Sequence, residues 1–248
     1  LYGHSAYNHN MPKNYEKTGD VSYSLGAFPT VELIKRRPED VESIMLSSGL
    51  RMTDELEAIL APVRDRTMVA DKAIARIAKK GNVFMAGAFR KRFTRFGECT
   101  HVALVHPSDA GNLGTIMRTM LGFGIKRLAV VGEGSADVYD PKTVRASMGA
   151  IFALDVCVYP DWQAYAAEHG EHKLLFMLDK RSKTLSAVSV PEPHALVFGN
   201  EGSGLPSELA EEGTPVIIRH SRDIDSLNLP QAVAIGLYET TKHFFAEI

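Results

Sequence analysis

His101-Val102-Ala103-Leu104-Val105, then Asn112-Leu113-Gly114-Thr115-Ile116-Met117-Arg118-Thr119-Met120-Leu121-Gly122, then Lys126-Arg127-Leu128-Ala129-Val130-Val131: this run decides the fold. Its first and last pieces are short, almost unbroken apolar stretches, as strands become when helices cover both faces of a parallel sheet. The middle piece has helical spacing. Leu113, Ile116, Met117, Met120 and Leu121 share one arc of the helix, and Asn112, Thr115, Arg118, Thr119 and Gly122 share the opposite one. Further strands are expected over 153–159, 174–178, 195–198 and 215–218, with helices near 161–168, 206–211 and 229–245. Strand and helix alternating in this way specify a doubly wound α/β domain, here over 99–248.

Upstream, the signals describe a smaller α/β unit over 21–88. A helix over 28–37 ends in Lys35-Arg36-Arg37 before Pro38, where a helix should stop. A strand over 41–46 follows, then a helix with Thr53 as N-cap, a strand over 65–69, and a helix begun by Asp71. Residues 89–98 include Phe89-Arg90-Lys91-Arg92-Phe93-Thr94-Arg95-Phe96, cations interleaved with aromatics at no clear period, and are expected to be a linker. Residues 1–20 read as a tail. Leu1 to Asn10 precede Met11, a candidate native start, and are left out of the fold reading.

Composition is that of an ordinary globular protein, with 45% hydrophobic and 23% charged residues. The net charge of −2 excludes a function resting on overall basicity, so nucleic acid would have to meet a local patch. Cys99 and Cys157 are too few for a disulfide framework or a zinc cluster. With no membrane-length apolar run and no signal-peptide core, a cytoplasmic protein is expected. His101, His106 and His220 lack partners at ligand spacing and read as structural or surface residues, so no metal is expected.

Three segments have the residues for chemistry. The arc carrying Asn112 and Arg118 is either a solvated face with Asn112 as N-cap or a ligand-facing surface at the strand's carboxyl end, where open α/β sheets bind. A guanidinium suits phosphate there, because its donors form a fixed fork. Gly199-Asn200-Glu201-Gly202-Ser203-Gly204-Leu205 lets the backbone turn sharply and come close to a ligand, yet it matches neither dinucleotide nor P-loop spacing. Glu201 there is equally readable as a cap for the helix near Pro206. Ser226-Leu227-Asn228-Leu229-Pro230 is a helix entry, with Asn228 able to cap and Pro230 in the first turn. Ala232, Ala234 and Gly236 then allow close packing. The stretch Arg219-His220-Ser221-Arg222-Asp223-Ile224-Asp225 before it is unusually polar for a core connection.

In this order the three segments resemble the motifs of the SpoU (TrmH-like) family of RNA ribose methyltransferases, in the SPOUT superfamily. Asn112-x-Gly114-x-x-x-Arg118 is similar to the first motif, Gly199 through Leu205 to the second, and Ser226-Leu227-Asn228 through Tyr238-Glu239 to the third. Pro141-Lys142-Thr143-Val144-Arg145-Ala146-Ser147-Met148-Gly149-Ala150 also looks like a stretch common in the family. The likeness covers about residues 100–245. It implies a parallel sheet with a deep trefoil knot, an exception to unknotted topology, preceded by a small substrate-binding domain. It also implies a homodimer with sites at the interface.

The resemblance further implies methyl transfer from S-adenosylmethionine to a ribose 2'-hydroxyl of tRNA or rRNA. Phe198, Gly199, Asn200, Gly202, Ile218, Leu227 and Asn228 would bind the cofactor. Arg118, Asn112, Glu201, Ser226 and Asn228 would form the catalytic set. Arginine stays protonated, so Arg118 would hold an RNA phosphate and stabilise developing oxyanion charge rather than act as a base. RNA contacts would fall to Lys35, Arg36, Arg37, Arg90, Lys91, Arg92 and Arg145. The alternative is an inactive RNA-binding protein of the same fold. The chain departs from the family at Pro230, where a small hydroxyl residue is usual.

Overall fold

The structure is a computed structural model that describes residues 13–78, 82–221 and 223–245. In chain order its elements are β1 (Val21–Leu25), α1 (Ala27–Arg36), β2 (Val41–Leu46), α2 (Asp54–Leu60), β3 (Thr67–Val69), α3 (Asp71–Ala78) and β4 (Met85–Arg90). These are followed by β5 (His101–Val105), α4 (Ala110–Gly122), β6 (Arg127–Val131), α5 (Pro141–Ala146), β7 (Asp155–Tyr159), α6 (Trp162–Glu168) and β8 (His172–Phe176). Last come β9 (Lys183–Thr184), β10 (His194–Phe198), β11 (Thr214–Ile217) and α7 (Leu229–Thr241). The expected tail falls largely outside the described residues.

Packing divides the chain into two units, one of residues up to Arg92 plus Asp137–Ala153, the other of Phe93–Ala136 plus Leu154 onward. Sequence patterning places 137–153 in the second domain, whereas packing places it in the first. In the structure α5 packs on β1, and the Ser22 hydroxyl donates to the Tyr139 carbonyl.

The first unit has a sheet of order β1-β4-β2-β3. Two of its strands escaped the sequence reading. β1 alternates with serines, and Ser22 and Ser24 are both fully buried, Ser24 Oγ lying 2.9 Å from Thr30 Oγ1. β4 has no β-branched residue, and its centre is held to glycine by its neighbours: a Cβ on Gly87 would sit 2.8 Å from Ser24 Oγ and 3.0 Å from Leu33 Cδ2. The expected linker therefore begins too early. Phe89 is 1% exposed and packs edge-to-face on Phe152 at 4.9 Å, so it is core, and the units part only after Arg92. Thr53 does cap α2, its hydroxyl accepting from Leu56 N at 3.2 Å.

The second unit is a seven-stranded parallel sheet of order β7-β6-β5-β10-β8-β11-β9. Ala103, Ala129, Leu175, Ala195 and Val197 form part of its buried centre. From β5 the chain first winds outward through β6 and β7, then returns and places β10 beside β5. The loops after β5 and β10 therefore leave neighbouring strands at the same edge.

Candidate functional site

The glycine loop after β10 closes on itself. Asn200 and Gly204 form an antiparallel bridge, with Asn200 N donating to Gly204 O at 3.2 Å and Gly204 N donating to Asn200 O at 2.9 Å. The Asn200 side-chain oxygen accepts from the amides of Gly202 and Ser203, and its Nδ2 donates to the His106 carbonyl at 2.8 Å. Gly199 is required by contact: a Cβ there would lie 2.1 Å from the Gly204 carbonyl carbon. Gly204 is required by conformation, with φ +69°.

Glu201 reaches back from this loop to the turn between β5 and α4. Its Oε2 accepts from Ser108 N at 2.9 Å and Ser108 Oγ at 2.7 Å, and its Oε1 accepts from Asp109 N at 3.2 Å and Asn112 Nδ2 at 3.3 Å. Partial burial raises the carboxyl pKa, but the donors, Ser108 foremost, outweigh it and bring the value down to about 2. Glu201 thus clamps the two loops together and caps no downstream helix. Asn112 does not cap α4 either. Asp109 holds that position, its Oδ1 accepting from Asn112 N at 2.7 Å, and the Asn112 amide is left for Glu201.

The loops at the carboxyl ends of β8, β10 and β11, with the segment entering α7, enclose a cavity of about 380 Å³. Phe176 and Phe198 stack at 4.1 Å in its wall. Behind them α7 comes close through Gly236, where a Cβ would lie 2.8 Å from the Phe176 ring. Of the residues expected around a cofactor, Phe198, Gly199, Asn200, Gly202, Ile218 and Leu227 line this space, as do Glu201 and Ser226. Asn228 does not line it, and although it occupies the N-cap position of α7 its side chain makes no capping bond. Pro230 is buried in the first turn of α7 and is not part of the wall. Arg118 is exposed on α4, lies outside the cavity lining, and has no ion pair or hydrogen bond among the described residues.

The sequence reading missed Ser108 and Asp109, although a cap-type residue just before the first apolar position of α4 was a legible signal. It also missed Met177, Asp179, His220 and Asp225 in the cavity lining. Asp179 is paired with Arg181, whose Nε donates to Oδ1 at 2.8 Å and holds the carboxyl near a pKa of about 2. Arg222 lies outside the described residues.

The expected RNA-binding cations fare unevenly. Arg37 is 7% exposed, its Nε donating to Phe152 O at 2.9 Å and its Nη2 to Ile151 O at 3.3 Å, so it belongs to the core and is no RNA contact. Arg36 pairs with Glu32, Arg90 with Glu42, and Arg92 with Glu39 and Asp40. Lys91 donates to the carbonyls of Glu16 and Lys17 and lies 4.6 Å over the Tyr15 ring. Lys35 and Arg145 are exposed on the same unit, and their side chains make no hydrogen bond or ion pair among the described residues.

A parallel sheet with a glycine loop and a crevice at the carboxyl ends of its strands defines a doubly wound α/β protein with a candidate small-molecule site at that edge. The profile of the SpoU rRNA methylase family matches residues 100–238, more than half of the chain, and the chain belongs to this family. It is 31% identical over 144 residues to the 23S rRNA (uridine(2479)-2'-O)-methyltransferase of Streptomyces viridochromogenes, a match covering 55% of this chain and 50% of that protein. It is also 31% identical over 133 residues to the 23S rRNA (guanosine(2553)-2'-O)-methyltransferase RlmP of Bacillus subtilis, covering 52% and 53%. The chain thus spans about half the length of the curated relatives it matches. Among solved structures it resembles an AdoMet-bound rRNA methyltransferase from Sinorhizobium meliloti, with TM-score 0.76, 28% identity, and 90% of this chain and 88% of that one covered. No helix among the described residues is long and apolar enough to cross a membrane.

Proposed function

We propose that this protein transfers a methyl group from S-adenosylmethionine to a ribose 2'-hydroxyl of tRNA or rRNA. The observation that carries the reading is the cavity formed by the glycine loop and tied through Glu201 to the turn before α4, in a chain of the SpoU family. The cavity suits the cofactor on two counts. Gly199 admits no Cβ, which lets the loop fold tightly on Gly204 with its main chain lining the cavity, and the Phe176–Phe198 wall offers apolar surface beside that polar loop. When bound there, the cofactor supplies a methyl on a positively charged sulfur, which is already a good leaving group.

The protein's share is then alignment and charge. Gly199, Asn200, Gly202, Ile218 and Leu227 hold the cofactor, largely by backbone and apolar contacts. Asn112 and Glu201 fix the two loops. Arg118 holds the RNA phosphate next to the reacting ribose and stabilises charge developing on its oxygen. Ser226 and Asn228 shape the third loop. That Arg118 lies outside its own chain's cavity and is free of partners among the described residues supports a homodimer in which it serves the cavity of a second copy. Exposed Ile235 and Tyr238 on α7, with the Tyr238 ring 6.4 Å from that of Phe123, give such a dimer an apolar face. A trefoil knot is consistent with β10 entering between β5 and β8.

Total RNA incubated with labelled S-adenosylmethionine should gain label at one ribose position. Arg118→Ala should lower transfer roughly 10²- to 10³-fold, the range for a transition-state charge donor, while S-adenosylhomocysteine affinity by calorimetry stays unchanged. Near-normal transfer by Arg118→Ala would refute its role. Mixing Arg118→Ala with Gly199→Ala should restore partial activity if sites are shared between copies, and no restoration argues against sharing.

A further inference from the structure

At the amino-terminal ends of β5 and β8, away from the cavity, His101, His169 and Glu171 converge. All three side chains are fully buried. His101 Nδ1 lies 2.9 Å and His169 Nδ1 3.1 Å from the same oxygen, Glu171 Oε1, and His101 Nδ1 is also 2.9 Å from the Cys99 carbonyl oxygen, a contact the ion would replace. One donor atom from each residue lies within 4.8 Å of the others. Each ring is backed by a tyrosine hydroxyl: Tyr165 at 2.7 Å from His101 Nε2, and Tyr159 at 2.8 Å from His169 Nε2. Phe96 covers both imidazoles, at centroid distances of 5.4 and 5.3 Å. The Lys173 ammonium donates to main-chain oxygens, His169 O at 2.6 Å and Glu171 O at 3.5 Å.

One atom stands out. Glu171 Oε2 is buried and has no hydrogen-bond partner among the described residues. A network of hydrogen bonds alone would hold this carboxylate by one oxygen and leave the other bare, a costly arrangement away from water. Two imidazole nitrogens and a carboxylate are a donor set that zinc takes. An imidazole whose second nitrogen is held by an outer partner is how ligating histidines are oriented.

We propose that His101 Nδ1, His169 Nδ1 and the Glu171 carboxylate bind a divalent cation of the zinc type, with Tyr165 and Tyr159 as outer partners. The ion would occupy both carboxylate oxygens and turn the imidazole Nε2–H groups toward the tyrosine oxygens. On binding, each neutral imidazole keeps its single proton, moved from Nδ1 to Nε2 where the tyrosine oxygen accepts it, so Nδ1 is free to ligate and no net proton is released. The site is closed, without a path for substrate, and its role is structural: it ties the start of β5 to the turn before β8.

The test uses the full chain, expressed with added zinc in the medium, purified without a metal column and desalted. Elemental analysis should find about one zinc per chain. Glu171→Gln, nearly the same in shape, should retain at least about tenfold less, and Tyr165→Phe should weaken retention roughly ten- to hundredfold. Zinc should also raise the Tm of wild type and leave that of Glu171→Gln unmoved. Wild type isolated free of metal, with a Tm indifferent to zinc and chelator, would overturn the site. Equal retention by Glu171→Gln would do the same. Neither result depends on methyl transfer.

Discussion

Glu201 is a short-range clamp with long-range consequences. Its carboxylate takes hydrogen bonds from Ser108 and Asp109, at sequence separations of 93 and 92, and so joins two loops that local sequence cannot connect. Its pKa in the folded chain, about 2, lies below the ordinary 4.5. The stability this confers is therefore complete above about pH 4.5 and lost as pH falls toward 2. Ser108→Ala removes the leading donor and brings the carboxyl back toward its ordinary value. Because Ser108 is exposed, the expected cost is modest, about 1 kcal/mol at neutral pH. Denaturant midpoints across pH 2–7 provide the measurement. The gap between wild type and variant should shrink as pH drops below about 4.5, and a gap independent of pH would show that the bond does not act through ionisation.

At the level of elements, the strand-to-loop passage from β10 is the most demanding piece of backbone in the site. Gly199→Ala forces a Cβ against the carbonyl of Gly204, main chain that has no rotamer with which to yield. The expected loss is about 1–3 kcal/mol in stability. S-adenosylhomocysteine binding should fall below detection in calorimetry, and a variant that binds like wild type would show that the loop tolerates opening. The same sterics explain part of what periodicity missed. Strands β5, β6, β8, β10 and β11 were legible because they are apolar runs in a parallel sheet. β1 and β4 were not, since their identity depends on buried serines meeting Thr30 and on Gly87 fitting under Ser24. No propensity argument sees a neighbour arriving from another part of the chain.

For the molecule as a whole, charge is local. A net charge of −2 and paired Arg36, Arg90 and Arg92 leave Lys35 and Arg145, among those expected to meet RNA, as the cations whose side chains have no partner among the described residues. Reversing both to Glu should weaken RNA binding and reduce the salt slope by about 1–2, while S-adenosylhomocysteine binding is unaffected. An unchanged slope in a filter-binding titration would exclude this surface. Reversing Arg92 is a poorer probe, because it also strips the charge partner from buried Asp40. By itself the sequence determined the parallel α/β plan and the three loops of the site, since apolar runs, helical arcs and glycine turns are local properties of the chain. It also carried part of the cavity lining, through the resemblance of its motifs. Only the tertiary structure decided which cations are neutralised, that Arg37 and Phe89 are core, and that Asp109 rather than Asn112 caps α4. Only it brought His101 beside His169 and Glu171, where spacing had given no hint of a metal. The physical reason is common to all of these: burial, charge pairing and ligand geometry are relations between distant segments, and folding alone sets them.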